Sequence, residues 1–262
     1  MTQGYLADYQ TFAANGGAAA PAWLKQLREA AIARFARVGF PSTREEEWRF
    51  TSVAAIAETR FTLQHQAPNV DRAATRLRGL AALHTLVFVD GFYVPELSVM
   101  GPLPAGVRVQ SLTEALRADP ELVRLHLGRQ ASPERNAFTA LATAFLRDGA
   151  FVYVPPKTLV PEPLQLLFVS TPGGGPHVTY PRTLVVLDDE AQAAVVETYL
   201  SADQGVHFTN AVTEIVLGAG ARMNYARVQR ESESAYHVAT THSHQDRDSV
   251  LASTTVALGA AL

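Results

Sequence analysis

Beyond Gly149 the chain breaks into short β-rich runs whose connectors recur at a nearly fixed interval, and this spacing constrains the fold more than any other feature. The runs are Phe151 to Val154, Leu164 to Val169, Leu184 to Leu187, Ala194 to Leu200, Val212 to Leu217 and Met223 to Val228. Polar or small connectors separate them: Asp188 to Gln192, Gly218 to Ala221 and Asp246 to Ser249. Leu187 to Leu217 is 30 residues (217 − 187) and Leu217 to Gln245 is 28 (245 − 217). Each interval holds a strand, a tight turn, a second strand and a longer return. A single unit of this size cannot bury its apolar face, whereas units stacked about 4.8 Å apart bury it along a continuous core. A flat sandwich of hairpins is the alternative, and the near-constant interval favours a β-helix.

The first half has a different period. Pro21 to Val38 reads as a helix, with Trp23, Leu24, Leu27, Ala31, Ile32 and Phe35 at helical spacing and Gly39 and Pro41 as the stop. Ser42 or Thr43 is expected to cap a short helix, with a Glu three residues on for a capping box. Leu112 to Leu127 reads as one helix started by Ser111 or Thr113 and ended by Gly128, and Ala137 to Leu146 as another, closed by Asp148-Gly149. Thr85 to Val94 reads as a hairpin around Asp90-Gly91. The expected organisation is a helical region over 1–148, with a β-hairpin near 85–94, followed by a β-helix core over 149–262 that is incomplete at its C-terminal end.

Several function classes fall to simple counts. With 22 basic against 25 acidic residues the net charge is −3, so nothing here provides the cation excess that holds a nucleic-acid backbone. There is no cysteine, so this chain alone makes no disulfide, thiolate nucleophile or thiolate-ligated cluster. Lys25 and Lys157 are the only lysines and neither follows glycine, which excludes a Walker A loop and leaves two candidates for a Schiff base. The N-terminus lacks the cationic start and apolar stretch of a secretory signal, and no run of about 18 apolar residues occurs. The expectation is a cytoplasmic protein with no membrane partner.

Among possible sites, Thr241-His242-Ser243-His244-Gln245-Asp246-Arg247 carries the sharpest chemistry, because alternate residues of an extended segment share a face and could aim two imidazoles and a carboxylate at one metal. A metal-dependent hydrolase using His242, His244 and Asp246 is therefore the alternative function. His207 and His237, the candidates to complete such a site, lie upstream, and the plainer expectation is that His242 and His244 line one face of a β-rung. Pro172-Gly173-Gly174-Gly175-Pro176 reads as a surface loop rather than a phosphate loop, since no helix cap follows. Glu45 to Glu47 read as a solvated first helical turn. His65, His84 and His126 stand alone. Ser201-Ala202-Asp203 and His207 offer triad residue types without a nucleophile elbow. No catalytic and no metal-ligating residue is assigned.

Three segments together resemble the SufD branch of the SufB/SufD family, subunits of the Suf iron–sulfur cluster assembly complex. They are Gly39-Phe40-Pro41-Ser42-Thr43-Arg44-Glu45-Glu46-Glu47-Trp48-Arg49-Phe50-Thr51; Asn136 to Gly149 running into Phe151-Val152-Tyr153-Val154-Pro155 and Pro163 to Phe168; and His207-Phe208-Thr209-Asn210 with the turn from Leu217 to Met223 and His237. The resemblance implies N-terminal helices and a right-handed parallel β-helix core. It also implies a non-catalytic scaffold that pairs with a SufB-like paralogue and binds a SufC-like ATPase. Fe–S cluster, iron or reduced flavin would then be bound only in the assembled complex, with no cofactor held by this chain alone. Family members continue through further rungs and ATPase-binding helices, so the chain ending at Leu262 is expected to be truncated and to have lost its ATPase contact.

Overall fold

The computed structural model of the protein describes residues 2–15, 20–64, 71, 82–171 and 175–262. Its frame is a parallel β-solenoid of about four turns with helices on the N-terminal side. One sheet stacks β2 (His84–Val89), β7 (Leu164–Ser170), β10 (Gln192–Ser201), β12 (Arg222–Arg230) and β14 (Val250–Ala257) in that order. The facing sheet stacks β6 (Gly149–Val154), β9 (Arg182–Leu187), β11 (His207–Leu217) and β13 (Tyr236–Gln245), with β8 (His177–Thr179) lying beside the first residues of β11. Leu217 is in register with Leu187 on one side and Gln245 on the other. The 30- and 28-residue intervals of the sequence are thus the rungs themselves.

Stacking aligns like residues. On the inner faces Phe88, Phe168 and Tyr199 are register partners whose rings stack 5.0 Å apart at 17° and 14°, each pair contributing about 0.5–1.5 kcal/mol beyond its buried area. Val152, Val185, Ile215, Leu166, Val195 and Met223 complete the buried interior. At one corner of every turn the backbone enters the left-handed region, at Lys157, Glu190, Gly220 and Asp248, with φ of 58°, 59°, 69° and 60°. The corners are laced together by Lys157 N–H to Asp189 O, Glu190 N–H to Ala219 O and Gly220 N–H to Arg247 O.

The two sheets are covered differently. The outer face of the β11 sheet packs under α1 (Thr2–Asn15), α2 (Ala22–Val38), α3 (Ala54–Glu58) and α6 (Ala137–Ala144), where Tyr5, Phe12, Phe35, Ile56 and Phe138 meet Phe208 and Val212. A second cluster joins Leu24 to Leu112 of α4 (Leu112–Ala118), Val123 of α5 (Pro120–His126) and Leu184 of β9. The other sheet is covered near β2 by Val94 and Leu97 and turns the half-buried Val196 and Val228 outward. Short strands complete the edges: β1 (Thr62–Leu63) on β8, β3 (Phe92–Tyr93) and β4 (Val99–Met100) antiparallel to β2, and β5 (Arg108–Ser111) antiparallel to β6. No helix among the described residues is long and apolar enough to cross a membrane.

The structure departs from expectation at four places. The helix expected over Leu112 to Leu127 is two helices, because Pro120 has no N–H to donate and Asp119 instead caps α5 by accepting the Leu122 N–H at 3.2 Å. Ser111 does start α4, through a capping box with Glu114. Ser42 and Thr43 cap no helix: Ser42 N–H donates to Glu45 Oε1, and only a 3₁₀ turn follows at Glu46–Trp48. Asp90 and Gly91 form the expected tight turn with φ of 50° and 82°, yet β2 also pairs in parallel with β7 and so belongs to the solenoid. Finally α1, β8 and β14 carry no periodic apolar pattern strong enough to mark them in the sequence.

Asp148-Gly149 has a steric cause. A Cβ on Gly149 would stand 1.7 Å from the Arg182 carbonyl oxygen, inside the β6–β9 pairing. At Gly220, by contrast, a Cβ would only touch Glu190 Cγ at 3.4 Å, and the constraint is the positive φ. Urea denaturation should therefore show Gly149→Ala losing about 3 kcal/mol or more through forced separation of the strands, and Gly220→Ala about 1–2 kcal/mol through backbone strain alone. Equal losses would contradict this assignment.

Candidate functional site

The densest polar chemistry sits at the corner opposite the left-handed turns, where each turn leaves the β10 sheet and enters the β11 sheet. The ends contribute Asp90, Thr171, Ser201 and Glu231, and the beginnings contribute His177, His207 and His237. All are buried except His237, which is partly so. The His177 and His207 rings are register partners and stack at 5.5 Å and 22°. Glu231 lies beneath them, 3.3 Å from His207 Nε2 and 2.7 Å from His237 Nδ1, and accepts from Thr209 Oγ1 and, at 3.1 Å, from Gln229 Nε2. Asp90 accepts from both the hydroxyl and the N–H of Thr171 and stands 3.7 Å from His177 Nε2.

The electrostatics follow from burial opposed by neighbours. Burial works to raise the Glu231 carboxyl, but His237 and His207 outweigh it and hold it well below the ordinary carboxylate range. Burial pushes the Asp90 carboxyl up against the two Thr171 bonds, and pushes the His177 imidazole down. A second inward carboxylate, Glu197, is met by three hydroxyls, those of Thr213 at 2.9 Å, Tyr225 at 2.8 Å and Tyr199 at 3.0 Å. Burial raises both tyrosines, so they remain donors.

The Ser–His–carboxylate constellation does not make a nucleophile. Glu231 and Ser201 both approach the same nitrogen, His207 Nε2, at 3.3 and 3.4 Å. An Nε2–H that donates to Glu231 has no lone pair left to take the Ser201 proton, whereas a relay needs the carboxylate on the other nitrogen. Ser201 Oγ is meanwhile an acceptor for the Ser232 N–H at 2.7 Å.

The His242-x-His244-x-Asp246 alternative is not favoured. His242 and His244 lie on the outer face of β13, with His242 in register with Glu214. His237 is in register with Thr209 on the inner face. Five residues along an extended strand reverse the face, so neither His237 nor His207 reaches the motif. His244 Nε2 contacts Asp246 at 3.1 Å, His242 Nε2 makes no hydrogen bond, and no metal-binding group of three His, Cys, Asp or Glu side chains occurs among the described residues. Pro172, Gly173 and Gly174 lie outside the described residues, as does His65. Gly175 and Pro176 lead into β8 rather than a helix. His84 is buried in β2, and His126 ends α5 with its imidazole pushed down by burial.

Asp90, His177 and Glu231 were not legible as site residues, although a signal exists: His177, His207 and His237 are each 30 residues apart (207 − 177, 237 − 207), the solenoid's own period.

On the outer face a second buried ion pair fastens the helical layer. Arg182 Nη2 donates to Glu214 Oε1 at 2.5 Å, and Glu214 also accepts the N–H groups of Gly128, Gln130 and Ala131 at 2.8, 2.9 and 3.0 Å. Burial opposes ionisation of Glu214, and Arg182 with these amides overcomes it. Glu214 and Glu231 therefore both ionise more readily folded than at the ordinary value of 4.5. Their stabilisation is full above that value and is lost as pH falls below it, because the unfolded carboxylates take up protons first. Removing either partner's charge leaves the other buried and uncompensated, so Glu214→Ala and Glu231→Ala should each cost about 3–5 kcal/mol at neutral pH. Either substitution should also flatten the fall of the thermal midpoint below about pH 5. An unchanged acid slope would show that these carboxylates do not carry it.

Comparison with known proteins matches residues 1–166 to the SufBD protein N-terminal region and residues 168–262 to the SufBD core domain of the SUF system for FeS cluster assembly. An iron–sulfur cluster assembly SufBD family protein of Synechocystis is 33% identical over 249 residues, covering 91% of this chain and 54% of that protein. The chloroplastic SufBD family protein ABCI8 of Arabidopsis thaliana is 25% identical over 226 residues, covering 80% and 40%. The iron–sulfur cluster assembly protein SufD of Bacillus subtilis is 26% identical over 219 residues, covering 81% and 49%. The chain thus spans about half the length of these relatives. With the two family models together matching residues 1–166 and 168–262, it belongs to the SufBD family.

Proposed function

We propose that the chain serves iron–sulfur cluster assembly as a non-catalytic scaffold, pairing with a SufB-like paralogue and working with a SufC-like ATPase. The observation that carries this is a cysteine-free solenoid matched along its length by the two SufBD family models. Residues 1–262 carry no cysteine, so thiolate ligands and sulfur come from outside them. They carry no Walker loop, so nucleotide hydrolysis does too. The inward-facing corner points the same way: Glu231 is held by His207, His237 and Thr209, Asp90 by Thr171, and Ser201 has no base, which suits a structural stack better than a reaction centre. Cluster, iron or reduced flavin is then held only where this chain meets its partners. We place the subunit in the cytoplasm, as an expectation that cell fractionation checks directly.

Affinity purification of the tagged chain from its source cells, followed by mass spectrometry, tests the proposal. A SufB-like paralogue and a Walker-bearing ATPase should accompany it in stoichiometric amounts. Recovery of the chain alone, or substrate turnover by the isolated chain, would overturn it.

A further inference from the structure

A cavity of about 460 Å³ opens where α2, the β2–β3 hairpin and the start of α4 meet. Its cationic wall is Arg28, Arg117 and Arg147, and its apolar wall is Phe92 and Tyr93. Arg147 is fixed by its surroundings: its guanidinium lies over the Phe92 ring at 4.6 Å and donates to the neutral Gln64 carbonyl at 2.7 Å. Arg28 is buried, stands over Phe12 at 5.3 Å and donates to Leu146 O at 2.6 Å. Arg117 lies exposed at the rim.

The acids that line the same space are turned to other work. Glu114 accepts the Ser111 N–H at 3.1 Å in the capping box. Asp148 Oδ1 accepts the N–H groups of Thr113 and Gly149, both at 2.9 Å. Among the described residues, no ion pair forms at Arg117 or Arg147. Burial lowers both Arg28 and Arg147; Tyr9 opposes the shift at Arg28 and Arg147 adds to it, while the Asp148 charge works to raise Arg147. Guanidinium forks suit the paired oxygens of a carboxylate or phosphate.

We propose that this cavity is a binding site for a small organic oxyanion, whose carboxylate or phosphate head meets Arg147 and Arg117 and whose flat or apolar body packs on Phe92 and Tyr93. The volume exceeds what an inorganic ion fills and lies in the range of small-molecule sites. The mouth at Gly91 leaves room, since a Cβ there would meet nothing within 4 Å. Asp148 gives the site a pH dependence. Burial pushes its carboxyl up to about 6, so below that value it is neutral and the cavity more positive, and the anion binds more tightly. The titratable and charged groups facing the anion are Arg28 from α2, Glu114 and Arg117 from α4, Tyr93 from the hairpin, and Arg147 and Asp148 from the segment before β6.

Calorimetric titration of the whole chain with benzoate, phenyl phosphate and inorganic phosphate tests the assignment. Benzoate or phenyl phosphate should saturate one site, with inorganic phosphate weaker by about tenfold for want of a body. Arg147→Gln should weaken binding about tenfold, and Arg117→Glu, an exposed change that spares the fold, about threefold or more. Benzoate, which stays charged, should bind severalfold more tightly near pH 5 than near pH 8. Absence of saturation by about 10 mM for all three probes would overturn the proposal. So would unchanged affinity in both variants, or, should Arg147→Gln fail to fold, unchanged affinity in Arg117→Glu.

Discussion

The buried pair of Arg182 and Glu214 is the constraint on which the arrangement of sheet and helices depends. Where the helices cover it, the outer face of the β11 sheet is apolar apart from this pair and from Asn210, which donates to the Phe138 carbonyl, and an isolated charge there would cost several kcal/mol to desolvate. The two residues sit on adjacent rungs, Arg182 opposite Val212 and Leu184 opposite Glu214, so each finds its counterion across the ladder rather than along the chain. Arg182 also reaches Thr143 Oγ1 of α6 at 3.4 Å, and Glu214 gathers three amides from residues 128–131. One ion pair thereby joins two rungs, the α6 helix and the loop after α5. The packing of α2 and α4 that frames the arginine-lined cavity is built on the same layer.

Inside the solenoid the same logic fixes register. Stacked strands with apolar interiors can slide without losing much contact, whereas a displaced carboxylate loses every partner. Glu197 needs Thr213 and Tyr225, 16 and 28 residues away, and Glu231 needs His207, Thr209 and His237. A slip of one residue would turn each carboxylate to the opposite face. The alternatives are thus penalised more heavily than the native pairing is rewarded, which is how buried polar groups specify one structure. The β11–β13 step shows the selection: His237 is 30 residues beyond His207 but is registered on Thr209, and Glu231 bridges the two imidazoles across that offset.

What the sequence makes legible follows from how local each cause is. Rung spacing is read directly, because Leu187, Leu217 and Gln245 are true register partners and the corner connectors are local turn chemistry. The Asp90-Gly91 hairpin and the start of α4 at Ser111 are read for the same reason, since the bonds that define them lie within a few residues. The break at Asp119-Pro120 is equally local, but the apolar periodicity runs on across it and conceals it. The helix α1 carries its burial on residues as sparse as Tyr5 and Phe12, and only packing against α2, Phe40 and Phe145 defines it. Among site residues the failure has one cause. Chain neighbours say little about a histidine, glutamate or arginine here, because in a solenoid the neighbour that matters is one turn away. His207 and His237 lie on the opposite face from the His242 motif, and their partner is Glu231. Arg147, read only as part of a family segment, acquires its chemistry from Phe92, some 55 positions earlier (147 − 92). In a stacked fold the rung period is therefore the coordinate along which side chains should be compared, and positions a whole turn apart reveal what positions three or four apart do not.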